Sequence, residues 1–164
     1  MGLIAEAQLG EMVRLDAVWR PAVRKHLLAL SPDDRYGRFA TALSDAGIAA
    51  YAERIDFARD ICFATVESDG GLSGFIHLAV YGEVAELGAS VLPRWRKQGR
   101  ARRLFAAALT VASASGIREI HLATGHPVAR RICGRLGYLC KTQSVYPRGV
   151  VSLAPVQIFL NPNS

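Results

Sequence analysis

Cysteine is scarce in this 164-residue chain: Cys62, Cys133 and Cys140 are odd in number and scattered. That excludes a disulfide framework and a zinc-ligand spacing, and no metal is expected. Long apolar runs are also missing. The longest apolar helical stretch, Leu104 to Ala114, is too short to cross a bilayer. The start, Met1 to Glu6, has neither the basic segment nor the apolar core of a secretory signal, and Glu6 stands where a myristoylation signal carries Ser or Thr. A cytoplasmic location is expected. No Gly-x-x-x-x-Gly-Lys-Ser/Thr occurs, and no Gly-x-Gly-x-x-Gly opens a βαβ unit, so two common phosphate-binding designs are excluded. No linker, repeat or low-complexity block divides the chain. One domain over 1–164, with its core at 11–160, is expected, and 51% hydrophobic content argues against disorder.

What is present is a local concentration of positive charge. The chain has 20 Lys and Arg against 14 Asp and Glu, a net charge of +6. Residues 94–103 hold Arg94, Arg96, Lys97, Arg100, Arg102 and Arg103 and no acid, so the excess charge is confined there. An alternating apolar run, Val84 to Val91, leads into this stretch, and a helical pattern from about Gln98 to Ser115 leaves it. Strand, basic turn and helix follow one another. Small residues at Gly99 and Ala101 let backbone N–H groups approach a phosphate, and a helix N-terminus adds donors and a positive dipole end. The alternative is a solvated basic helix start. A nucleic-acid binder would spread its charge over a face, so DNA or RNA is disfavoured as a partner.

The remaining pattern is α+β. Strands are expected at Glu11–Val18, Asp60–Glu67, Leu72–Tyr81, Val84–Val91 and Arg118–Ala123, with a final hairpin from Leu139–Tyr146 and Val150–Leu160. Helices are expected at Arg20–Leu30, from Ser31 through Leu43, at Asp45–Ile55 and at His126–Leu136. Ser31-Pro32-Asp33-Asp34 is a helix-start signal, and Ser68-Asp69-Gly70-Gly71 a hairpin turn.

Three features, in order, resemble the GNAT superfamily of acyl-CoA-dependent N-acyltransferases. Arg96-x-x-Gly99-x-Ala101 matches that family's pyrophosphate motif. Val91 lies five residues before Arg96, where the family places a strand-end contact. Ala129-x-x-Ile132-x-x-x-Leu136-Gly137-Tyr138 looks like the family's late helix. Leu30 to Phe39 is similar to a substrate-side segment of a single-domain branch that includes protein-lysine acetyltransferases. The resemblance implies a mixed, mostly antiparallel central sheet of six to seven strands flanked by helices, with acetyl-CoA as co-substrate. It implies that the Val91 backbone meets the pantetheine arm, and that Arg96, Lys97, Gln98, Gly99, Arg100, Ala101 and Arg102 wrap the pyrophosphate, mainly by backbone N–H. His126 stands where the family has an asparagine that meets the cofactor.

Acyl transfer to an amine needs a proton acceptor, an oxyanion donor and positioning. Glu86, on the strand leading to the cofactor, is the first candidate base. Glu83 is the second, and His77 could line the cleft from the neighbouring strand. The family's thiolate-protonating tyrosine is replaced by Cys133, which is either a weak acid or a small packed side chain. An acyl-cysteine route is disfavoured, since no histidine partner is evident. Tyr138 reads as core. The expected activity is transfer of an acetyl group from acetyl-CoA to a primary amine, on a small molecule or a protein lysine, by direct attack in a ternary complex. The alternative is a non-catalytic acyl-CoA-binding module. The acceptor is not legible, and a homodimer through the last hairpin stays open.

Overall fold

Ile61 and Phe63 alternate with Cys62 and Ala64 along one strand, and Ile76 and Leu78 with Phe75 and His77 along the next. The period of two sends each set to an opposite face of a sheet. In the computed structural model, which describes residues 10–122, 127–142 and 149–153, both faces are covered and two cores result.

Seven strands form that sheet: β1 (Glu11–Arg14), β2 (Ile61–Val66), β3 (Leu72–Tyr81), β4 (Val84–Val91), β5 (Glu119–Leu122), β6 (Leu139–Thr142) and β7 (Gly149–Ser152). Their order is β1-β2-β3-β4-β5-β7-β6. All neighbours are antiparallel except β4 and β5, so the sheet is mixed and mostly antiparallel, as expected. The helices are α1 (Arg20–Leu28), α2 (Pro32–Phe39), α3 (Asp45–Arg54), α4 (Arg100–Ala114) and α5 (Pro127–Arg135). Leu104, Phe105, Ala108, Leu109 and Ala112 of α4 pack on one face with Ile76, Leu78, Ala85 and Leu87. Val23 and Leu27 of α1 and Ile48 of α3 pack on the other with Cys62, Ala64 and Phe75. Among the described residues no helix is long and apolar enough to cross a membrane.

Local chemistry sets the element ends. The Ser31 hydroxyl accepts the Asp34 N–H at 3.1 Å and opens α2, and Ser44 does the same for α3 through Gly47. Ala40, at φ 59°, is left-handed and ends α2 at Phe39, so Leu43 lies beyond the helix expected to include it. β1 stops at Arg14, short of the expected Val18. The Asp16 carboxylate accepts the Val18 N–H at 3.1 Å and starts a 3₁₀ turn at Ala17–Trp19 instead. Arg35 fixes α2 in place: its guanidinium donates to the carbonyls of Leu28, Leu30 and Leu43 and pairs with Asp45 at 2.8 Å.

The pairing of β4 creates the opening. Among the described residues it runs beside β5 from Val84 to Leu87, opposite Glu119 to Leu122, while its pairing with β3 continues to Val91. Ser73 accepts the Leu92 N–H at 2.9 Å. By the alternation of an antiparallel ladder, the N–H and C=O groups of Ala89 and Val91 therefore point away from β3, into the gap beyond Leu87.

Candidate active site

That gap is a cleft of about 750 Å³. One wall is the stretch of β4 from Leu87 to Val91, the opposite wall is α5 through Val128, Ala129 and Ile132, and the floor is Leu104, Phe105 and Leu122. Its mouth is the loop 93–99 with the first turn of α4. Leu92 to Trp95 form a short 3₁₀ turn, and Lys97 and Gly99 then take left-handed backbone angles, φ 59° and 81°. No side chain caps α4, whose N-cap position is Gly99. A left-handed residue and an uncapped helix start together aim successive backbone N–H groups at one point, which suits a phosphate. A side chain at position 99 would meet no atom within 4 Å, so the requirement for glycine there is its φ, not space.

The cations of this loop divide into two groups. Lys97 and Arg102 are exposed. Arg100 is not: it is 1% exposed. Its Nε donates to Glu67 at 2.9 Å, its Nη1 to Gln98 at 2.7 Å, and its guanidinium lies 4.5 Å from the centre of the Trp95 ring. The Arg100 side chain is therefore engaged within the fold, and the expected wrap by residues 96–102, mainly through backbone N–H groups, draws on its main chain. Its side chain braces the loop against the end of β2, and its backbone is what it can offer the cleft. Arg96 is engaged too, with Nε donating to the Val91 carbonyl at 2.9 Å and Nη2 paired with Asp34 of α2 at 2.9 Å. Arg103 donates to the Gly10 carbonyl at 3.2 Å. The charge excess of residues 94–103 is therefore partly met by acids and carbonyls from other parts of the chain. Ala101 lines the cleft; His126 lies outside the described residues.

Cys133 is wholly buried in the core under α4 and lines neither this cleft nor its neighbour. Its burial suits the small packed side chain of the two alternatives. Tyr138 also packs against that core.

A second cavity, of about 270 Å³, lies on the opposite face of the sheet between β3, β4, α2 and α3. The two cavities share Arg38, Leu87 and Gly88 in their walls, at the place where β4 leaves β5. Glu86 lines the second cavity, is exposed, and makes no ion pair or hydrogen bond among the described residues. Glu83 lies at the β3–β4 turn, 3.9 Å from Arg118, and lines neither cavity.

His77 also lines the second cavity, within a chain of groups that only the fold brings together. Its Nδ1 meets the Tyr51 hydroxyl, and its Nε2 lies 2.8 Å from the Asp60 carboxylate. Asp60 also accepts from the Val80 N–H and from Arg59, both at 3.1 Å. Burial pushes the Asp60 carboxyl up, but hydrogen bonds from His77, Val80 and Arg59 outweigh it and hold the group below its ordinary value. Asp60 can only accept, so Nε2 of His77 carries a proton and donates it to the carboxylate.

Arg38, which sequence reasoning missed, is 5% exposed. Its Nη1 donates to the Phe75 carbonyl at 3.3 Å and to the Ser90 hydroxyl at 3.1 Å. Ser90 in turn lies 2.8 Å from Nε2 of His26, whose Nδ1 donates to the Leu72 carbonyl at 2.8 Å. Burial, with the Arg38 charge added, lowers the His26 pKa to about 4 against the Leu72 hydrogen bond, so this ring is neutral. The guanidinium packs on Gly88, where a Cβ would fall 3.3 Å from it, and its centre lies 4.9 Å from that of the Phe75 ring. Nothing in the local sequence Tyr36-Gly37-Arg38-Phe39 separates this arginine from a solvated one.

Comparison with known proteins follows the geometry. No curated protein matches this chain in sequence. Several solved structures share its fold at low identity. The GNAT domain of S. lividans PAT aligns with TM-score 0.67 and 16% identity, over 85% of this chain and 87% of its own. A GNAT superfamily phosphinothricin acetyltransferase from Sinorhizobium meliloti, in complex with AcCoA, aligns with TM-score 0.63 and 14% identity, over 87% and 86%. Spermidine N-acetyltransferase from Vibrio cholerae, in complex with CoA and spermine, aligns with TM-score 0.61 and 15% identity, over 86% and 91%. The sequence itself matches the acetyltransferase (GNAT) family over residues 26–138, and the chain belongs to that family.

Proposed function

We propose that this protein is an N-acetyltransferase that moves an acetyl group from acetyl-CoA to a primary amine by direct attack in a ternary complex. The observation that carries the reading is the meeting of two cavities at Leu87 and Gly88. Among the described residues, one has an unpaired strand edge and a helix start without a side-chain cap, and the other holds a carboxylate, Glu86, without a partner. The neighbours that hold AcCoA, or CoA with spermine, support the co-substrate and the amine class.

The residues present suit acetyl-CoA. Backbone N–H groups of Gly99, Ala101 and Arg102 suit its pyrophosphate, with the Lys97 and Arg102 side chains adding charge. Ala89 and Val91 offer main-chain groups to the pantetheine amides; the Val91 carbonyl is held by Arg96, which must yield it or share it. Bound acetyl-CoA supplies the thioester. The amine attacks from the smaller cavity: an N–C bond forms, the C–S bond breaks, and the thiolate departs. Glu86 accepts the proton that the amine must lose. A backbone N–H near Val91 donates to the carbonyl oxygen as it takes on charge.

The test is release of free thiol from acetyl-CoA in the presence of a panel of primary amines, with Glu86→Gln beside the parent. Amine-dependent release that falls in the variant supports the reading. Acetyl-CoA binding with no release for any amine or lysine peptide would support the non-catalytic module instead.

A further inference from the structure

Arg38 presents two buried donors that the fold does not satisfy. Among the described residues no acceptor lies in hydrogen-bond geometry with its Nε or Nη2, while Nη1 is held by Phe75 and Ser90. Buried donors are normally paired, and an unpaired one on a charged group is costly. Burial pushes the Arg38 pKa down, and the Tyr51 hydroxyl beside it favours the charged form. The Tyr51 hydroxyl also meets Nδ1 of His77, so the one oxygen it can turn toward Arg38 is shared between two partners. Glu86, two residues from Gly88 on the same face of β4, forms no ion pair with Arg38.

The identity of the two atoms decides what they suit. Nε–H and Nη2–H form the side edge of a guanidinium, where two N–H bonds run parallel. That edge matches the two oxygens of a carboxylate and gives bidentate binding. A lone carbonyl oxygen can accept from both donors only through two bent bonds, whereas a carboxylate meets each with its own oxygen. The edge belongs to the residue that the two cavities share, so the ligand reaches it from one or the other.

We propose that Arg38 is a carboxylate-binding residue at the junction of the two cavities, and that one of the two substrates carries that carboxylate. Two sources have this chemistry: an acceptor amine that also bears a carboxyl group, as in an amino acid, or a dicarboxylic acyl group on coenzyme A. In the first case the amine lies toward Glu86 and the carboxylate toward Arg38. The inference deepens the acyltransfer reading and rests on it for the roles of the cavities.

The experiment is ligand binding by thermal unfolding and titration calorimetry on the whole chain. One arm sets N-acetylated amino acids, as product-like probes, against the corresponding amides. The other sets succinyl-CoA and malonyl-CoA against acetyl-CoA. The expected result is that the acid binds about ten- to a hundred-fold tighter than its neutral counterpart in one arm, which names the source. Arg38→Lys, which keeps the charge and loses the fork, should remove that preference and keep the acetyl-CoA shift. If Arg38→Lys does not fold, Gly88→Ala replaces it, since its Cβ would fall 3.3 Å from the guanidinium. Equal binding of acid and neutral forms in both arms, or no binding of either while acetyl-CoA binds, overturns the proposal and leaves the acyltransfer reading standing. An Arg38-dependent preference for acids without any acetyl-CoA binding upholds the carboxylate site and overturns the acyltransfer reading.

Discussion

The Arg100 guanidinium donates to the Glu67 carboxylate across 2.9 Å, with the arginine side chain wholly buried and the glutamate 12% exposed. The pair ties the first turn of α4 to the residue that follows β2, and so holds the backbone of the loop 96–99. Arg102, two positions on, is exposed. The two arginines therefore differ in kind, and their removal should too. Arg100→Ala removes a wholly buried side chain and leaves the part-buried Glu67 carboxylate without its charged partner, and should cost about 3 kcal/mol of stability. Arg102→Ala should change stability by less than about 0.5 kcal/mol while weakening acetyl-CoA. Urea denaturation and a binding titration of both variants check this. The reverse pattern would show that Arg100 serves the ligand.

The sequence carried a signal for that difference. Arg100, Leu104, Ala108 and Ala112 recur every four residues, and all four are buried, so Arg100 shares the core face of α4. Charge alone hid it. Where turn chemistry is explicit, the reading holds to the residue: β3 and β4 end as expected on either side of Gly82, at φ 64°. Where an end depends on a residue with no such signature, as at Ala40, the helix pattern overran. The basic loop between β4 and α4 was legible because its residues are contiguous. Arg38, Tyr51 and Asp60 were not, since they meet only after α2, α3 and the start of β2 pack together. Cys133 stood in a motif position, but its burial is a property of the packed core and not of the motif.

Glu86→Gln should lower turnover by about a hundred-fold or more, the scale of a lost general base, with acetyl-CoA affinity unchanged. A comparable loss with His77→Gln or Tyr51→Phe, and none with Glu86→Gln, would place the proton acceptor on the Tyr51–His77–Asp60 chain.

Native stability should fall as the solution is acidified below neutrality. The unfolded chain protonates His26 near pH 6.5, and the folded chain only near 4. Between these values the unfolded state binds more protons, so stability rises with pH across the window and is flat outside it for this group. The full effect is about 3 kcal/mol, of which about 2 is lost by pH 5. Urea midpoints at pH 7 and pH 5 measure it. The difference should shrink in His26→Gln, and an equal difference in both proteins would assign it to other groups.

Cys133→Ala should leave turnover intact and cost about 1 kcal/mol of stability, the scale of a small change in a packed core. Loss of turnover without loss of stability or of acetyl-CoA binding would return this thiol to the reaction.

The measurement that tests the central claim most directly is the shift in thermal unfolding with acetyl-CoA, for the parent, Arg96→Ala and Gly99→Glu. A ligand that binds only the folded chain stabilises it by about 2.7 kcal/mol at one hundred times its dissociation constant. The predicted result is a clear upward shift in the parent that is absent with Gly99→Glu, where a carboxylate and a side chain at φ 81° both oppose the phosphate site. It should be reduced with Arg96→Ala, which removes the links to Val91 and Asp34. No shift in the parent at millimolar acetyl-CoA, or an equal shift in all three, would contradict the assignment of the loop 96–102 to the co-substrate.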